Sequence, residues 1–366
     1  MEQTTVLRQV KLVSGEEIDI VIAKGVIAGI TAAGEGRGDA VWDGRGTYVS
    51  SGWIDMHVHA FPEFDPYGDD IDEIGVKQGV TTIVDAGSCG ADRIADLAAS
   101  KRAAKTNLLA FLNISRIGLK RVDELSRLEW IDRGKVIEAV QAYPELIVGL
   151  KARISRSVVK ESGLEPLRLA RGLSADTGLP LMVHIGSAPP DIRDVVPLLE
   201  KGDIITHYLN GKSNNLFDAD GRPLKVLTDA VRRGVHLDVG HGTASFSFQV
   251  AEDAKRHGIH PDTISTDIYR GNRLNGPVYS LANVLSKFLS LGYSLEETIS
   301  RVTVRAAQWL GRPELGRIQV GDAANLSLFT VSGEPAQLVD SEGVQRTAEQ
   351  VITTKGVVIH GEFIIF

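Results

Sequence analysis

The sequence predicts an α/β protein: a (β/α)8, TIM-like barrel with a small β-sandwich module formed by the N- and C-terminal segments. Three observations carry this. From residue 52 to residue 268, eight short β-like runs alternate with helical patterns, the grain of strand, crossover helix and parallel strand. Residues 1–50 and 318–366 read instead as β-runs broken by glycine-rich turns. The length of 366 residues exceeds one ordinary domain but suits a barrel plus a smaller module.

The N-terminal runs are VLRQVKLV, EEIDIVIAKG and VIAGI, and nothing in them suggests chemistry. Gly44-Arg45-Gly46 and Ser51-Gly52 break the chain around the entry to the first barrel strand, GWIDMHVHAF (52–61). The strands expected after it are VTTIVDAG (80–87), NLLAFLNIS (107–115), LIVGLKARIS (146–155), PLMVHIG (180–186), DIITHYLN (203–210), VHLDVGHG (235–242) and TISTDI (263–268). Helical patterns lie between most of them: RIADLAASKRAAK, GKVIEAVQAY, LEPLRLARGLSA, IRDVVPLLEKG, KVLTDAVRRG and FQVAEDAKRHG. A doubly wound open sheet is the alternative. It usually carries a Gly-rich dinucleotide turn after its first strand, where this chain has His59-Ala60-Phe61-Pro62. Further on, Ser294-Leu295-Glu296-Glu297 is a capping box opening the helix TISRVTVRAAQWLG, with Gly311 as its stop. The β-runs VGDAANLSLFTV and VITTKGVVIHGEFIIF then return. Residues 1–50 and 318–366 are therefore expected to meet in one composite module, around a barrel of residues 51–317.

Composition excludes several classes of function. A chain 43% hydrophobic and 24% charged has the balance of a folded domain rather than a disordered one. A net charge of −7 and the lack of a long basic run argue against a nucleic-acid surface. No apolar run approaches membrane-spanning length, and MEQTTVLRQVKLVSGEE lacks a signal-peptide core. A single cysteine, Cys89, excludes an intrachain disulfide and fits a reducing, cytoplasmic setting. The expected partner is thus a small molecule, with neither nucleic acid nor membrane. Homo-oligomerisation is left open.

Strand alternation puts His57 and His59 on one face, with Asp55 beside them. Two imidazoles so placed can share one metal ion. An H-x-H alone is a weak signal, since paired histidines also occur in satisfied polar cores. Further ligand types strengthen it: Lys151 ends the fourth strand, His184 the fifth, His207 the sixth and Asp267 the eighth. Barrel sites form at that C-terminal face, so six ligand-type residues from five strands converge on one mouth. His257, His260 and His360 read as solvent-facing, and His236 as the start of a strand far from the mouth. His241, between two glycines, fits either a substrate contact or a supporting role. A protonated Lys151 has no lone pair and would be repelled by two dications. Either it is a salt-bridged lysine of the mouth, or its neutral amine takes up carbon dioxide and becomes a carbamate able to bridge two metals.

These residues resemble the amidohydrolase superfamily over essentially the whole chain. The matching stretches are Asp55-Met56-His57-Val58-His59, Lys151 after Gly149-Leu150, Val183-His184-Ile185, Thr206-His207-Tyr208 and Ser265-Thr266-Asp267. The resemblance implies two divalent metal ions, zinc by preference. His57, His59 and Asp267 would bind one, His184 and His207 the other, and a carboxylated Lys151 would bridge them. It also implies that Asp267 is the catalytic proton carrier, while Asp55 orients an imidazole.

Dihydroorotases place an arginine two residues after the H-x-H and an asparagine after the second strand. Here those places hold Phe61 and Asp85-Ala86-Gly87-Ser88, which speaks against dihydroorotate. Deacylases of N-acyl-D-amino acids use a cysteine ligand nearby, but Cys89 lies beyond the glycine turn and Lys151 already fills the bridge. The stretches TTIVDAGS, GLKARIS, THYLNGK and LDVGHGTASFSF are most similar to the deacetylase-type subgroup often labelled dihydroorotase-like. That subgroup implies removal of an acetyl group from small N-acetyl amino acids or O-acetyl hydroxy acids. Cyclic-amide hydrolysis of hydantoinase type is the runner-up, and deamination of a heterocycle third. A barrel kept only as a scaffold would lack several ligands, whereas all six positions are filled.

For the substrate, Arg153 points to the same side as Lys151, one step further up the mouth. It either binds a substrate carboxylate or pairs with Asp85 or another mouth carboxylate. Ser187, Asn210 and His241 are the other candidate substrate contacts. The mixed-charge segment 116–134 fits either a piece of the mouth or a subunit contact.

Overall fold

The computed structural model describes residues 3–366. Five strands precede the barrel: β1 (Thr5–Leu12), β2 (Glu17–Ala23), β3 (Val26–Ala32), β4 (Ala40–Asp43) and β5 (Tyr48–Ser51). The barrel strands are β6 (Trp53–Val58), β7 (Val80–Gly90), β8 (Asn107–Asn113), β9 (Ile147–Ile154), β10 (Leu181–Ile185), β11 (Ile204–Thr206) and β12 (His236–Asp238). After them come β13 (Leu326–Ser332), β14 (Ala336–Val339), β15 (Gln345–Ala348), β16 (Val351–Ile359) and β17 (Glu362–Ile365).

Strands β6 to β12 form one parallel sheet in sequence order. Every residue of β6 and β7 is buried, as expected for strands covered on both faces. Side chains alternate along the strands, and a bulge in β6 between Asp55 and Val58 breaks that alternation, so that His57 and His59 face inward as Ile54 and Met56 do. Ile54, Met56, Val84, Ala86, Leu109, Phe111, Met182 and Ile204 fill the barrel, with Ala306 and Ala307 closing its bottom. This packed plug forces the polar site up to the strand C-ends.

The expected eighth strand, 263–268, is not a regular strand. It closes the ring through single bridges, Asp238 to Thr263 and Val58 to Ile268. Its hydroxyls explain the departure: Thr263 and Ser265 donate to Asp238, and Thr266 donates to Asp55. Asp267 then takes a left-handed backbone, φ 53, which no extended strand can hold.

The expected helix TISRVTVRAAQWLG is two helices, Leu295–Ser300 and Val304–Trp309. The first has the predicted capping box of Ser294 with Glu297. It stops early because the Val302 carbonyl accepts from the Ile54 amide at 2.7 Å, tying the break to the start of β6.

The two chain ends build one hydrogen-bonded sheet, β17-β16-β13-β5-β1-β2-β3, with β4 on β1. Ile27 of β3 and Val358 of β16 share a core with Leu7, Ile20 and Leu326, so this sheet bends over itself. The β14–β15 ribbon stands apart from it, and Leu338 and Ala348 pack into the barrel core instead. Its turn reaches the barrel mouth. Asp340 accepts from the Phe248 amide at 3.0 Å, and Ser341 donates to the Gly242 carbonyl at 2.9 Å. No helix among the described residues is long and apolar enough to cross a membrane.

Candidate metal centre

His57 lies on β6 and His59 just beyond its end. The His57 Nδ1 lies 2.8 Å from the Thr206 hydroxyl, which itself donates to Asp238 at 2.8 Å. The hydroxyl therefore accepts from Nδ1–H, and the Nε2 lone pair faces the barrel axis. His59 pairs its Nδ1 with the Ser88 hydroxyl at 2.9 Å and brings its Nε2 to 3.1 Å from Asp267. His207 donates from Nδ1 to the Gly240 carbonyl at 2.6 Å.

That last bond makes a test of metal binding. A carbonyl only accepts, so the His207 proton sits on Nδ1 and Nε2 carries a bare lone pair. This Nε2 is buried and has no hydrogen-bond partner among the described residues. Ligand atoms of His57, His207 and Asp267 all lie within 4.8 Å of one another. The His184 ring is edge-on to His207, with centroids 4.4 Å apart. An orphaned lone pair beside a second imidazole and a carboxylate fits a divalent cation. The tight trio takes members from both expected ligand sets.

His207 and Asp267 have left-handed backbones, φ 68 and φ 53, although neither is glycine. Such strain costs about 1–3 kcal/mol each and gathers at functional sites. Gly242 makes the Asp267 position feasible, because a Cβ there would lie 2.5 Å from its carboxylate.

Lys151 runs beneath this group. Its Nζ is 3.3 Å from His57 Nε2 and 3.2 Å from the Met182 sulfur. Only a glycine at position 87 admits its stem, since a Cβ there would lie 2.6 Å from the lysine Cβ. Burial lowers the Lys151 pKa to about 7, against the opposing pull of Asp267 and Asp238. Asp267 keeps its carboxyl well below the usual range: burial pushes it up, but His57, His59 and His207 outweigh that.

Other expected residues fall elsewhere. Asp55 does not orient an imidazole. It accepts from the Thr266 amide and hydroxyl at 3.0 and 2.6 Å, tying the first strand to the eighth segment, and burial raises its pKa to about 7. Asp238 holds the orienting place instead, through Thr206. Arg153 does not pair with Asp85, which accepts the Ala60 and Ser88 amides at 2.7 Å. It pairs with the buried Glu124 at 3.1 Å. Glu124 belongs to segment 116–134, so that segment reaches the mouth. His241 turns away from the cavity, stacking on Phe246 and meeting the Lys287 ammonium at 2.8 Å. Asn210 also faces inward to the chain, donating to the His207 carbonyl at 2.8 Å. Cys89 is buried in the apolar core, and burial pushes its thiol pKa up.

The cavity above the ligands measures about 250 Å³. His57, His59, Lys151, His184 and Asp267 form its floor, and Arg153, Ser187, Lys212, Tyr67 and Tyr269 are among its walls. Sequence reading missed Thr206, Asp238, Glu124 and Lys212. A signal existed for Asp238, an acid in a buried strand, but its partner Thr206 follows only from the β11–β12 register.

No protein-family model matches the chain. It is 41% identical over 365 residues to a deacetylase of Enterococcus faecalis, covering 99% of both chains. It is 34% identical to a deacetylase of Agrobacterium fabrum, covering 96% of this chain and 88% of the relative. A solved structure described as an adenine deaminase superposes with a TM-score of 0.95 at 40% identity, covering 99% of both chains. One described as a dihydroorotase gives 0.90 at 33%, covering 99% of this chain and 98% of the other. With near-complete coverage at this identity, the chain belongs to the family of these deacetylases, within the amidohydrolase superfamily.

Proposed function

We propose that the protein is a binuclear, zinc-dependent deacetylase acting on small N-acetyl amino acids or O-acetyl hydroxy acids. The observation that supports this most is the set His57, His59, Lys151, His184 and Asp267 on one cavity floor, with the buried His207 beside His57 and Asp267 and its lone pair left free. His57, His59 and Asp267 would hold one metal, His184 and His207 the other. When bound, the pair supplies Lewis acidity and lowers the pKa of water to near neutrality.

The remaining steps belong to the chain. The Lys151 amine is partly neutral near pH 7, so its nitrogen attacks carbon dioxide and releases a proton. The resulting carbamate has two oxygens to offer where an ammonium has none. Asp267, ionised at neutral pH, accepts a proton from the attacking water. It then hands that proton to the leaving amine or alkoxide. Thr206 and Asp238 hold His57 in one tautomer, and Ser88 steadies His59. A cavity of about 250 Å³ suits a small acyl compound.

The solved relatives' names raise two rivals, dihydroorotate hydrolysis and adenine deamination. Against the first, Phe61 is buried against Phe64 and brings no guanidinium to the mouth. Elemental analysis with a hydrolysis screen decides among them. The screen covers N-acetyl-D- and L-amino acids, O-acetyl hydroxy acids, hydantoins, dihydroorotate and adenine. About two metals per chain and turnover of acetylated acids are expected. Preferred turnover of adenine or a cyclic amide, or one tightly bound metal in active enzyme, overturns the reading.

A further inference from the structure

We infer that Lys212, rather than Arg153, reads the carboxylate of the substrate. This rests on the deacetylase reading above and adds the group that selects acids over their neutral derivatives.

Both cations line the same cavity, but their surroundings differ. Arg153 already faces the Glu124 carboxylate at 3.1 Å, and the Glu124 side chain is 0% exposed. Water cannot screen that pair, so an incoming anion meets a guanidinium whose charge is neutralised from behind. The guanidinium also lies 5.7 Å above the Tyr67 ring, which fixes it as part of the wall.

Lys212 is half-buried, and no carboxylate lies within 4.0 Å of its ammonium among the described residues. Its ammonium donates no hydrogen bond to any described residue either, since the bond made by Lys212 comes from the backbone. A half-buried, unpaired cation facing a cavity is a place for an anion.

The backbone beneath it is built to hold position. Asn210 donates to the His207 carbonyl at 2.8 Å and accepts from the Lys212 amide at 3.1 Å. This turn sets Lys212 relative to His207. Two residues on, Asn214 donates to the Gly186 and Pro190 carbonyls and accepts from the Ile192 amide at 3.0 Å. The loop is thereby pinned to the segment after β10, beside Ser187. A compact ammonium on a fixed loop recognises one carboxylate as a point charge. The substrate class is an acylated small acid, with its acyl carbonyl over the floor and its carboxylate at Lys212.

The test uses zinc-loaded full-length protein and four probes that carry no stereocentre: N-acetylglycine, O-acetylglycolate and their uncharged primary amides. Wild type is expected to favour the acids. Lys212→Met should raise KM for the acids about 10–100-fold, the worth of one charge-assisted contact, and change kcat and the amides' KM little. Lys212→Arg should recover part of the loss. An equal effect on acids and amides, or no effect, overturns the inference. So does an acid-specific loss in Arg153→Met that Lys212→Met lacks. If wild type hydrolyses none of the four, the deacetylase reading fails instead, and calorimetric titration with N-acetylglycine still decides. Binding lost in Lys212→Met supports the inference; binding kept in that variant, or absent from wild type, sinks it.

Discussion

Replacing Thr206 with valine removes the hydroxyl that links His57 to Asp238 and keeps the shape of the side chain. In wild type that oxygen is 2.8 Å from His57 Nδ1 and 2.8 Å from Asp238. Without it, the imidazole N–H faces Asp238 at 3.7 Å, too far for a hydrogen bond. Both groups are buried, so no water shell compensates. A buried polar group left without its partner costs about 1–3 kcal/mol. Partners that orient a metal-bound imidazole are typically worth about 10–100-fold in metal affinity, the same range. Thr206→Val should therefore weaken zinc binding by about 10–100-fold. Competition with a chromophoric chelator measures this, with bound zinc checked by elemental analysis. Thr206→Ser should restore most of the affinity, because it returns the oxygen without the methyl group. Wild-type zinc affinity in the valine variant would refute the orienting role, as would equal loss in both variants.

Three other outcomes are expected. Lys151→Ala should lose nearly all activity and regain part of it with added short carboxylic acids, while Lys151→Arg fails because a guanidinium stays protonated. Normal turnover by either variant would remove the carbamate from the scheme. Asp267→Asn should keep much of its metal and lose turnover roughly 10²–10⁴-fold in steady-state assays; near-wild-type turnover would place the proton carrier elsewhere. Lys287 is buried beside His241 and the Pro277 carbonyl, and burial lowers its pKa to about 7, with Asp340 opposing. From about pH 7 to about pH 10.4 the unfolded chain holds a proton on this group that the native chain has released. Stability of the metal-free protein should rise across that window, by an amount on the order of a few kcal/mol, and gain nothing from this group below it. Urea unfolding at about pH 7 and about pH 9 should show that rise in wild type and a flatter response in Lys287→Met.

Much of this protein is determined locally. Period-two alternation alone puts His57 and His59 on one face, and alternation of strands with helices implies a parallel barrel whose strand C-ends share a mouth. From that, His57, His59, Lys151 and His184 are expected at the mouth without coordinates. What tertiary structure decided lies where local rules lapse. His207 and Asp267 sit on left-handed backbone, where alternation no longer says which way a side chain points. Asp238 reaches His57 only through Thr206, because β11 and β12 pair those two residues. Glu124 comes from an irregular segment to neutralise Arg153, and the β14–β15 turn crosses from the chain end to brace the Gly242 loop. Lys287 draws His241 out of the cavity. Apart from the two backbone conformations, each of these is a contact between residues far apart in sequence, fixed by which buried polar groups can satisfy one another at close packing, and periodicity along the chain carries no information about that.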